Sequence, residues 1–394
     1  MSEHTYYFDN SATTKVSKEV MDSMQPYLNE IYGNPSTIYS IGREAKKAIE
    51  TAREKVAKAI NADSKEIFFT GSGTEADNWA IKGIAFANQH KDKHIITTNI
   101  EHHAVLHTCE YLEKFGFETT YVPVKENGIV DVNDIKDALR EDTILISVMF
   151  ANNEIGTIQS IKEIGELAKE KNIYFHTDAV QAIGHIPIDV KELDVDLLSL
   201  SAHKFHGPKG VGVLYIRDGV NIDNLLHGGG QEKRRRASTE NTAGIVGLGR
   251  AIEIATENID EKVKYLTKLR EKTINGLIEN IPDIIINGDR EKRLPGNVNV
   301  CFKYIEGESI LLHLDQYGIC ASSGSACTSG SLEPSHVLLA IGLPHEIAHG
   351  SLRLSFSEEN TEEEVDYLLE KLPPIIKNLR NMSPLYKANS NCKN

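Results

Sequence analysis

Short apolar runs alternate with longer stretches in which apolar residues recur every three or four positions, across roughly the first 240 residues. The apolar runs predict buried strands, and the longer stretches predict helices that cover them. The predicted strands cover residues 66–70, 94–98, 118–122, 143–150, 173–176, 195–200 and 211–216. The predicted helices cover residues 17–31, 40–60, 75–88, 103–115, 132–140 and 160–171. This alternation predicts an α/β fold with a mostly parallel sheet between two layers of helices.

The run at 211–216 follows the run at 195–200 after only a short gap. A parallel neighbour requires a long crossover connection, whereas an antiparallel neighbour can be reached through a short loop. We therefore expect the last of these strands to run antiparallel to the strand before it.

The pattern changes after residue 244, where a long helical stretch at 245–281 begins. Short strands are then predicted at 284–286, 297–302 and 352–356, and helices at 306–317, 334–341 and 361–380. This mixture predicts a smaller α+β domain. We place a large domain at residues 15–259 and a small domain at residues 260–386, which residues 1–14 join. The polar tail at 387–394 is expected to be disordered.

The composition narrows the class of protein. The chain has 394 residues, 40% of them hydrophobic, and a formal net charge of -14. This acidic balance argues against binding to nucleic acid, which depends on phosphate contacts. No apolar run approaches the ~20 residues of a membrane helix, and the polar N-terminus does not resemble a signal peptide. We therefore expect a globular protein that binds neither nucleic acid nor membranes.

Five cysteines are scattered along the chain, and no two of them form a CxxC pair. This usage fits free thiols in a reducing compartment better than a disulfide framework or a zinc site. We therefore predict a cytoplasmic protein without a metal centre. Cys109 and Cys301 lie within predicted elements and are interpreted as core residues.

Lys204 follows the predicted strand at 195–200. A lysine in this position is either a solvated loop residue or a partly desolvated amine nucleophile. Asp178 follows the preceding strand, and the carboxyl ends of both strands meet at one edge of the sheet, where ligands bind. The turn Gly-Ser-Gly-Thr at 71–74 precedes a helix, whose first backbone N–H groups can bind phosphate. A lysine, a carboxylate and a phosphate turn at one edge match the needs of pyridoxal phosphate.

The same turn partly fits a dinucleotide-binding pattern, with Gly71, Gly73 and Ala76 at the pattern positions. Glu101, after the next predicted strand, would then be the acid that binds the ribose. This pattern is weak on its own. A nicotinamide-dependent dehydrogenase is therefore an alternative, although it leaves Lys204 without a role.

Cys327 lies in the stretch 318–335, which consists mostly of Ser, Gly, Ala and Thr. This composition is typical of a mobile loop, and a loop of this length is usually functional or disordered. The stretch contains no Lys or Arg that would lower the pKa of the thiol, so activation would come from the site that the loop reaches. A surface thiol without a function is the alternative.

Several stretches match the motifs of one known family. They are FDNSATT at 8–14, GNP at 33–35, TEADN at 74–78, EH at 101–102, NNEIG at 152–156, HTDAVQ at 176–181, SAHKFHGPKG at 201–210, SSGSACTS at 322–329, EPSH at 333–336 and Arg353. Through them the chain resembles the cysteine desulfurases of the NifS/IscS type, which are class-V aminotransferases and fold-type I pyridoxal-phosphate enzymes. The resemblance extends from about residue 6 to about residue 386.

The resemblance implies that Lys204 binds the cofactor covalently and that Asp178 is the partner of its pyridine nitrogen. Gln181 would donate a hydrogen bond to the phenolate oxygen of the cofactor. His102 would stack on the cofactor ring and assist proton transfer. The residues implied for the cofactor phosphate are Gly73, Thr74, Ser201 and His203.

The resemblance also implies the substrate-binding residues. Asn153, which is expected beside the cofactor as well, would bind the substrate together with Arg353 and Asn34. The planar guanidinium of Arg353 suits a carboxylate. Thr239 would reach the cofactor phosphate of a neighbouring subunit, which implies a homodimer. The family usually has Arg-Ser-Gly-Thr where this chain has Arg-Ala-Ser-Thr at 236–239, so we expect an altered turn before Thr239.

The implied reaction converts L-cysteine to L-alanine and leaves a persulfide on Cys327. The sulfur would then pass to an acceptor protein such as an iron–sulfur scaffold. The alternatives are another pyridoxal-phosphate enzyme, such as a selenocysteine lyase or an aminotransferase, the dehydrogenase, and a non-catalytic protein that kept the fold. Cys327 favours the desulfurase, because an aminotransferase needs no thiol.

Overall fold

The computed structural model describes residues 4–90, 93–323, 334–384 and 386. The strands are β1 (Tyr6–Tyr7), β2 (Ile67–Thr70), β3 (His94–Thr98), β4 (Glu118–Val122), β5 (Thr143–Ser147), β6 (Tyr174–Asp178), β7 (Leu197–Ser201), β8 (Gly212–Ile216), β9 (Ile284–Ile286), β10 (Asn297–Phe302), β11 (Ile319–Cys320) and β12 (Ser351–Ser355). The α-helices are α1 (Lys18–Met24), α2 (Pro26–Asn29), α3 (Ser40–Ala59), α4 (Gly73–Asn88), α5 (His103–Glu113), α6 (Val132–Asp137), α7 (Ile161–Lys171), α8 (Gln231–Arg234), α9 (Thr242–Thr256), α10 (Ile259–Asn280), α11 (Gly307–Asp315), α12 (His336–Ala340), α13 (His345–Ala348) and α14 (Glu362–Met382).

Seven strands form the central sheet in the order β2-β8-β7-β6-β5-β3-β4. The neighbours from β7 through β6, β5 and β3 to β4 pair in parallel. Strand β8 pairs antiparallel with both β7 and β2. The mostly parallel sheet and the antiparallel placement of the 211–216 run are therefore confirmed.

Helices cover both faces of this sheet, because successive side chains of each strand point to opposite faces. On one face, Ile146 of β5 belongs to a core with α3 and α9. On the other face, Leu145 of the same strand belongs to a core with α4 and α5, in which Trp79 is fully buried. The α/β architecture predicted from the alternating pattern is thus confirmed.

A second sheet has the order β12-β10-β9, and both of its pairings are antiparallel. Its apolar residues form a core with α10, α11 and α14. Strand β1 pairs in parallel with β11 in a separate two-stranded sheet, and Asp9, shortly after β1, forms a β-bridge with Ser355 of β12. The domain boundary near residue 260 stays a prediction. None of the described helices has the length and apolar character that crossing a membrane requires.

Two of the predicted helices are each divided in the structure. The stretch at 245–281 forms α9 and α10, which are separated at Asn258, where φ is +52°. Asparagine tolerates this left-handed conformation, which a helix cannot include. The stretch at 17–31 forms α1 and α2, and Pro26 begins α2 because its missing N–H is not needed in a first helical turn. Helix α4 begins at Gly73, two residues earlier than predicted.

A buried ion pair anchors α8 to the sheet. Arg53 of α3 donates two hydrogen bonds to the Glu232 carboxylate, at 2.7 and 2.8 Å, and both side chains are almost fully buried. The same carboxylate accepts a hydrogen bond from the backbone N–H of Phe69. Glu232, Lys233 and Arg234 all have positive φ, a conformation that these residues adopt only when the surroundings hold it.

Replacing Glu232 with alanine is expected to lower the free energy of unfolding by about 3 kcal/mol, because the buried charge of Arg53 would keep only the more exposed Glu50 carboxylate as its ion-pair partner. Chemical denaturation followed by circular dichroism measures this loss. Asp218→Ala, which removes an exposed ion pair with Lys65, is the control and should leave the unfolding midpoint nearly unchanged. Equal midpoints for the two variants would contradict the prediction.

Candidate active site

Lys204 lies in a short 3-10 turn (Ala202–Lys204) that follows β7 directly. Its Nζ donates hydrogen bonds to the carbonyl oxygens of Ser11 and Ala12, at 2.6 and 2.8 Å. The amine is therefore held at the carboxyl edge of the sheet by the polar turn that follows β1. These two carbonyl partners were not predicted, although the polar run after the first strand was visible in the sequence.

Asp178 ends β6, the strand next to β7, and its side chain is buried. Its Oδ1 accepts a hydrogen bond from the Val180 N–H at 2.9 Å. Burial raises the pKa of this carboxyl to about 6, while the Val180 N–H and the positive charge of Lys204 act to lower it. The structure therefore brings Asp178 and Lys204 together at one edge, as predicted, with the carboxylate ionised at neutral pH.

His102 caps the N-terminus of α5 through its ring. Its Nδ1 accepts a hydrogen bond from the Ala104 N–H at 3.1 Å, so in the neutral imidazole the proton is on Nε2. Burial, followed by the charge of Lys204, lowers the pKa of His102 to about 4. At neutral pH this side chain is a neutral ring with one N–H donor.

The N-terminus of α4 forms a close-packed cradle. A Cβ atom added at Gly73 would lie 2.8 Å from Val180 Cγ2 and 3.3 Å from Ser201 Cβ. Glycine therefore lets the helix terminus approach the end of β7 closely. Thr74 follows in the first turn, where backbone N–H groups have no partner within the helix. Free N–H groups beside a serine make this terminus suited to a phosphate.

Two further predicted residues lie against the turn that holds Lys204. Gln181 Nε2 donates to the Ser11 carbonyl oxygen at 3.0 Å. His203 Nδ1 lies 3.1 Å from Thr13 Oγ1, and burial together with the charges of Lys204 and Lys209 lowers its pKa to about 4. The segment after β1 therefore organises three of the predicted site residues at once.

Arg353 of β12 reaches the same segment from the second sheet. Its Nη2 donates to Asp9 Oδ1 at 2.7 Å, and its Nη1 donates to the Asn153 carbonyl oxygen at 3.1 Å. Among the described residues, the buried Nε of Arg353 has no hydrogen-bond partner. A buried guanidinium with a donor to spare fits a carboxylate ligand. Asp9 is a contact that was not predicted.

The contacts of the described residues do not link Asn34 or Thr239 to the group around Lys204. Asn34 is exposed, and its Oδ1 accepts from the Ser36 N–H within its own turn. Thr239 is also exposed. Cys327 lies outside the described residues. No cluster of metal ligands occurs in the part of the chain that the structure covers.

Glu101 does not fit the dehydrogenase alternative. Its side chain is fully buried, and its Oε1 accepts hydrogen bonds from Thr98 Oγ1 at 2.7 Å and from the Met149 N–H at 2.9 Å. Burial raises the pKa of this carboxyl to about 8. A ribose-binding acid must be accessible and ionised, so this interpretation of Glu101 is wrong.

The turn before Thr239 has a backbone conformation that is unusual for a residue with a side chain. Ser238 stands where the family usually has glycine, and its φ is +115°. This φ is one that glycine adopts freely and that a side chain disfavours.

Ser238→Gly is expected to stabilise the protein by about 1 kcal/mol, because it removes this backbone strain. Thermal unfolding measures the change as a higher melting temperature. Ser36→Gly is the matched control, since Ser36 is exposed and its φ lies outside the positive region, so that added backbone freedom should lower the melting temperature. A lower melting temperature for both variants would contradict the prediction.

The assembled groups fit pyridoxal phosphate. The α4 terminus with Gly73 and Ser201 suits its phosphate, the Lys204 amine suits its aldehyde, and the buried Asp178 carboxylate suits a protonated ring nitrogen. Chemically, such a set activates an amino acid whose carboxylate is bound by a buried arginine.

Comparisons with known proteins identify the family of this chain. The family model described as aminotransferase class-V matches residues 6–368. The cysteine desulfurase IscS of Clostridium botulinum is 64% identical over 383 residues, which are 97% of this chain and 96% of that protein. A solved NifS-like protein superposes with a TM-score of 0.90 at 45% identity and covers 95% of this chain and 100% of its own.

A further solved structure, SspA in complex with cysteine, has a TM-score of 0.81 at 39% identity and covers 91% of this chain and 100% of its own. The family match spans most of the chain, and the identity to the curated relative holds over nearly the full length of both proteins. The chain therefore belongs to the class-V aminotransferase family, as a pyridoxal-phosphate-dependent cysteine desulfurase of the NifS/IscS type.

Proposed function

We propose that this enzyme converts L-cysteine to L-alanine and transfers the substrate sulfur to Cys327. The observation that carries the proposal is the position of the Lys204 amine at the carboxyl edge of the sheet. Two carbonyl oxygens accept hydrogen bonds from this amine, and its positive charge acts on the Asp178 carboxyl group. A cysteine-bound relative, SspA, supports the choice of substrate.

Arg353 binds the substrate carboxylate in this proposal. Its guanidinium has five N–H donors and uses two of them for Asp9 and the Asn153 carbonyl oxygen, so donors remain for a ligand. Asn153 and Asn34 keep their predicted roles as further substrate contacts. A fixed carboxylate places the Cα–H bond of the substrate within reach of Lys204.

Pyridoxal phosphate, when bound, supplies an electron-accepting ring that makes the Cα proton of an amino acid acidic. Asp178 would hold the ring nitrogen and Gln181 the phenolate oxygen, and Gly73, Thr74, Ser201 and His203 would hold the phosphate. Lys204 would anchor the cofactor covalently and, when free, would carry the Cα proton of the substrate. His102 would lie against the ring, with its Nε2–H as a neutral donor.

Cys327 accepts the sulfur as a thiolate. A bond forms between Cys327 Sγ and the substrate sulfur, and the bond between that sulfur and Cβ breaks. Cβ keeps the electron pair and takes up a proton, so that the products are alanine and a persulfide on Cys327. The reaction balances without an oxidant or a reductant.

The active enzyme is proposed to be a homodimer in which Thr239 reaches the cofactor phosphate of the second subunit. Large exposed apolar side chains on residues 21–39 support a second copy as the partner, because such patches mark protein interfaces. They are Met21, Leu28, Tyr32, Ile38 and Tyr39. Sedimentation equilibrium should give twice the monomer mass, and a monomer at micromolar concentration would contradict the dimer.

The proposed destination of the sulfur is an acceptor protein such as an iron–sulfur scaffold, in the cytoplasm. The described cysteines are unpaired, which agrees with a reducing compartment. Cys109 and Cys301 are buried in the core, as predicted.

One experiment tests the reaction. The enzyme is supplied with L-cysteine, alanine is quantified, and the peptide that contains Cys327 is examined by mass spectrometry for one added sulfur. Equal amounts of alanine and transferred sulfur are expected. Formation of a keto acid would favour an aminotransferase, and turnover of selenocysteine but not of cysteine would favour a selenocysteine lyase.

A further inference from the structure

A row of polar side chains crosses the middle of the sheet on the face that α4 covers. It consists of Ser147 of β5, His176 of β6 and Ser199 of β7, and all three are fully buried. His176 Nδ1 lies 2.8 Å from Ser147 Oγ, and its Nε2 lies 3.0 Å from Ser199 Oγ. Buried polar groups in a sheet core lower the stability of the fold unless each of them makes its hydrogen bonds. This row therefore needs a partner for each of its donors and acceptors.

Asp77 of α4 lies over one end of this row. Its side chain is almost fully buried, and its Oδ1 lies 3.6 Å from His176 Nε2. That Oδ1 has no hydrogen-bond partner among the described residues, whereas Ser199 is bonded to the carboxyl group. Burial, and then the nearby charge of Asp178, raises the pKa of Asp77 well above its usual range. Both influences favour the protonated form of the Asp77 carboxyl group.

The row ends beside Asp178. His176 and Asp178 are two positions apart on β6, so their side chains share one face of the sheet. Ser199 stands directly opposite Asp178 on β7. Two carboxyl groups this close do not both ionise readily, so a proton kept on Asp77 leaves the negative charge on Asp178.

A neutral Asp77 also sets the direction of the hydrogen bonds. Its O–H donates to Ser199 Oγ, the Ser199 O–H then donates to His176 Nε2, and the Nδ1–H of His176 donates to Ser147. Burial lowers the pKa of His176 to about 3, so the ring is neutral and has the single N–H that this order requires. Each member of the row then has a partner.

We propose that Asp77 is a positioning residue for Asp178: its buried carboxyl group, packed against the end of the Ser199–His176–Ser147 row, fixes this row beside the Asp178 carboxylate that would face the cofactor nitrogen. The inference rests on the role of Asp178 proposed above. It assigns a function to Asp77 and His176 that the reaction itself does not require of them.

The first test compares Asp77→Asn with Asp77→Leu in the full-length protein. The readout is the affinity of the cofactor-free protein for pyridoxal phosphate, together with the pH dependence of the absorbance of the bound cofactor. Asparagine can donate to Ser199 as the neutral acid does, so its affinity should stay within about threefold of the wild type. Leucine leaves Ser199 Oγ without its donor, so the row is no longer fixed at this end; the affinity for the cofactor should fall about tenfold or more, and the pH titration should shift.

A second measurement reports the proton on Asp77. In the unfolded chain Asp77 loses its proton near a pKa of about 3.9, whereas the folded protein keeps that proton to higher pH. The free energy of unfolding of the wild type should therefore fall as the pH rises from the pKa of Asp77 in the unfolded chain towards its higher pKa in the folded protein. Asp77→Asn has no proton to lose at this position and should lack this fall in stability. Glu101, Asp178 and His176 also face Asp77, but they are present in both proteins and their own titrations largely cancel. The melting temperature of Asp77→Asn relative to the wild type should rise from about pH 5 to about pH 7.

His94 provides a matched control for the loss of a buried imidazole. Its ring is held between Thr143 Oγ1 and Thr120 Oγ1, each at 2.8 Å, at the opposite end of the strands from Asp178. His176→Leu should weaken cofactor binding as Asp77→Leu does. His94→Leu should lower the melting temperature and leave cofactor affinity and absorbance unchanged.

The outcomes separate the two proposals. If Asp178→Asn binds the cofactor as the wild type does, the role of Asp178 is wrong, and this inference falls with it. If Asp178→Asn is impaired and Asp77→Leu is not, only this inference is wrong. An Asp77→Asn protein as impaired as Asp77→Leu would also overturn it, because a charge on Asp77 would then be required.

Discussion

Replacing Lys204 with alanine is expected to reduce the turnover of L-cysteine by about 10⁴-fold or more, because one change removes both the proposed covalent anchor and the proposed base for the Cα proton. Arginine at this position keeps the positive charge near Asp178 but cannot serve as the nucleophilic amine. Lys204→Arg should therefore be as inactive as Lys204→Ala. Alanine formation under saturating cofactor measures both effects.

Lys209 is the matched control for Lys204, because it lies in the same loop and is exposed. Lys209→Ala should retain turnover close to that of the wild type. If the turnover of L-cysteine by Lys204→Arg lay within tenfold of the wild-type turnover, the site would use the charge of this side chain and not its amine chemistry.

Cys327→Ser is expected to abolish persulfide formation and to reduce alanine production to the background rate. The expected loss is about 10³-fold or more, because a serine hydroxyl is a far weaker nucleophile towards sulfur than a thiolate. Cofactor binding and the absorbance of the bound cofactor should be unchanged, since neither depends on the thiol. Alanine analysis and mass spectrometry of the Cys327 peptide measure the two losses.

Cys320 is the matched control for Cys327, since it is a half-buried cysteine on β11, at the start of the same 318–335 stretch. Burial raises the pKa of its thiol, which makes it a poor nucleophile. Cys320→Ser should keep both alanine production and persulfide formation on Cys327. Unaltered turnover in Cys327→Ser would remove Cys327 from the mechanism and return the choice among pyridoxal-phosphate reactions to the open alternatives.

The strands of the central sheet were predictable because buried parallel strands are nearly continuous apolar runs between helical stretches. The division between α9 and α10 was not predictable from the same signal. Apolar spacing continues on both sides of Asn258, and only its left-handed backbone, with φ of +52°, ends one helix and begins the next. Local composition does not report such a conformation reliably.

The edge that joins Lys204 and Asp178 could be predicted from the sequence, because parallel strands place their carboxyl ends together. The contacts of Ser11 and Ala12 with Lys204 could not be predicted, since they depend on how a distant turn packs against β7.

The polar row beneath α4 could not be predicted for a different reason. Ser147, His176 and Ser199 each stand alone within an apolar strand, and only the register of the sheet aligns them. The roles of Asn34, Thr239 and Cys327 stay predictions.

The turn after β1 has a consequence for how the enzyme comes into being. Lys204 meets a carbonyl that is 193 residues earlier in the chain, and Arg353 meets Asp9 across 344 residues. Contacts of such high sequence separation form late in folding, because long loops must close first. During synthesis, the contact between Arg353 and the turn after β1 therefore cannot form until β12 has been made. Incomplete chains lack Arg353, the residue proposed to bind the substrate carboxylate, so we expect the capacity to process an amino acid to arise only when the chain is nearly complete.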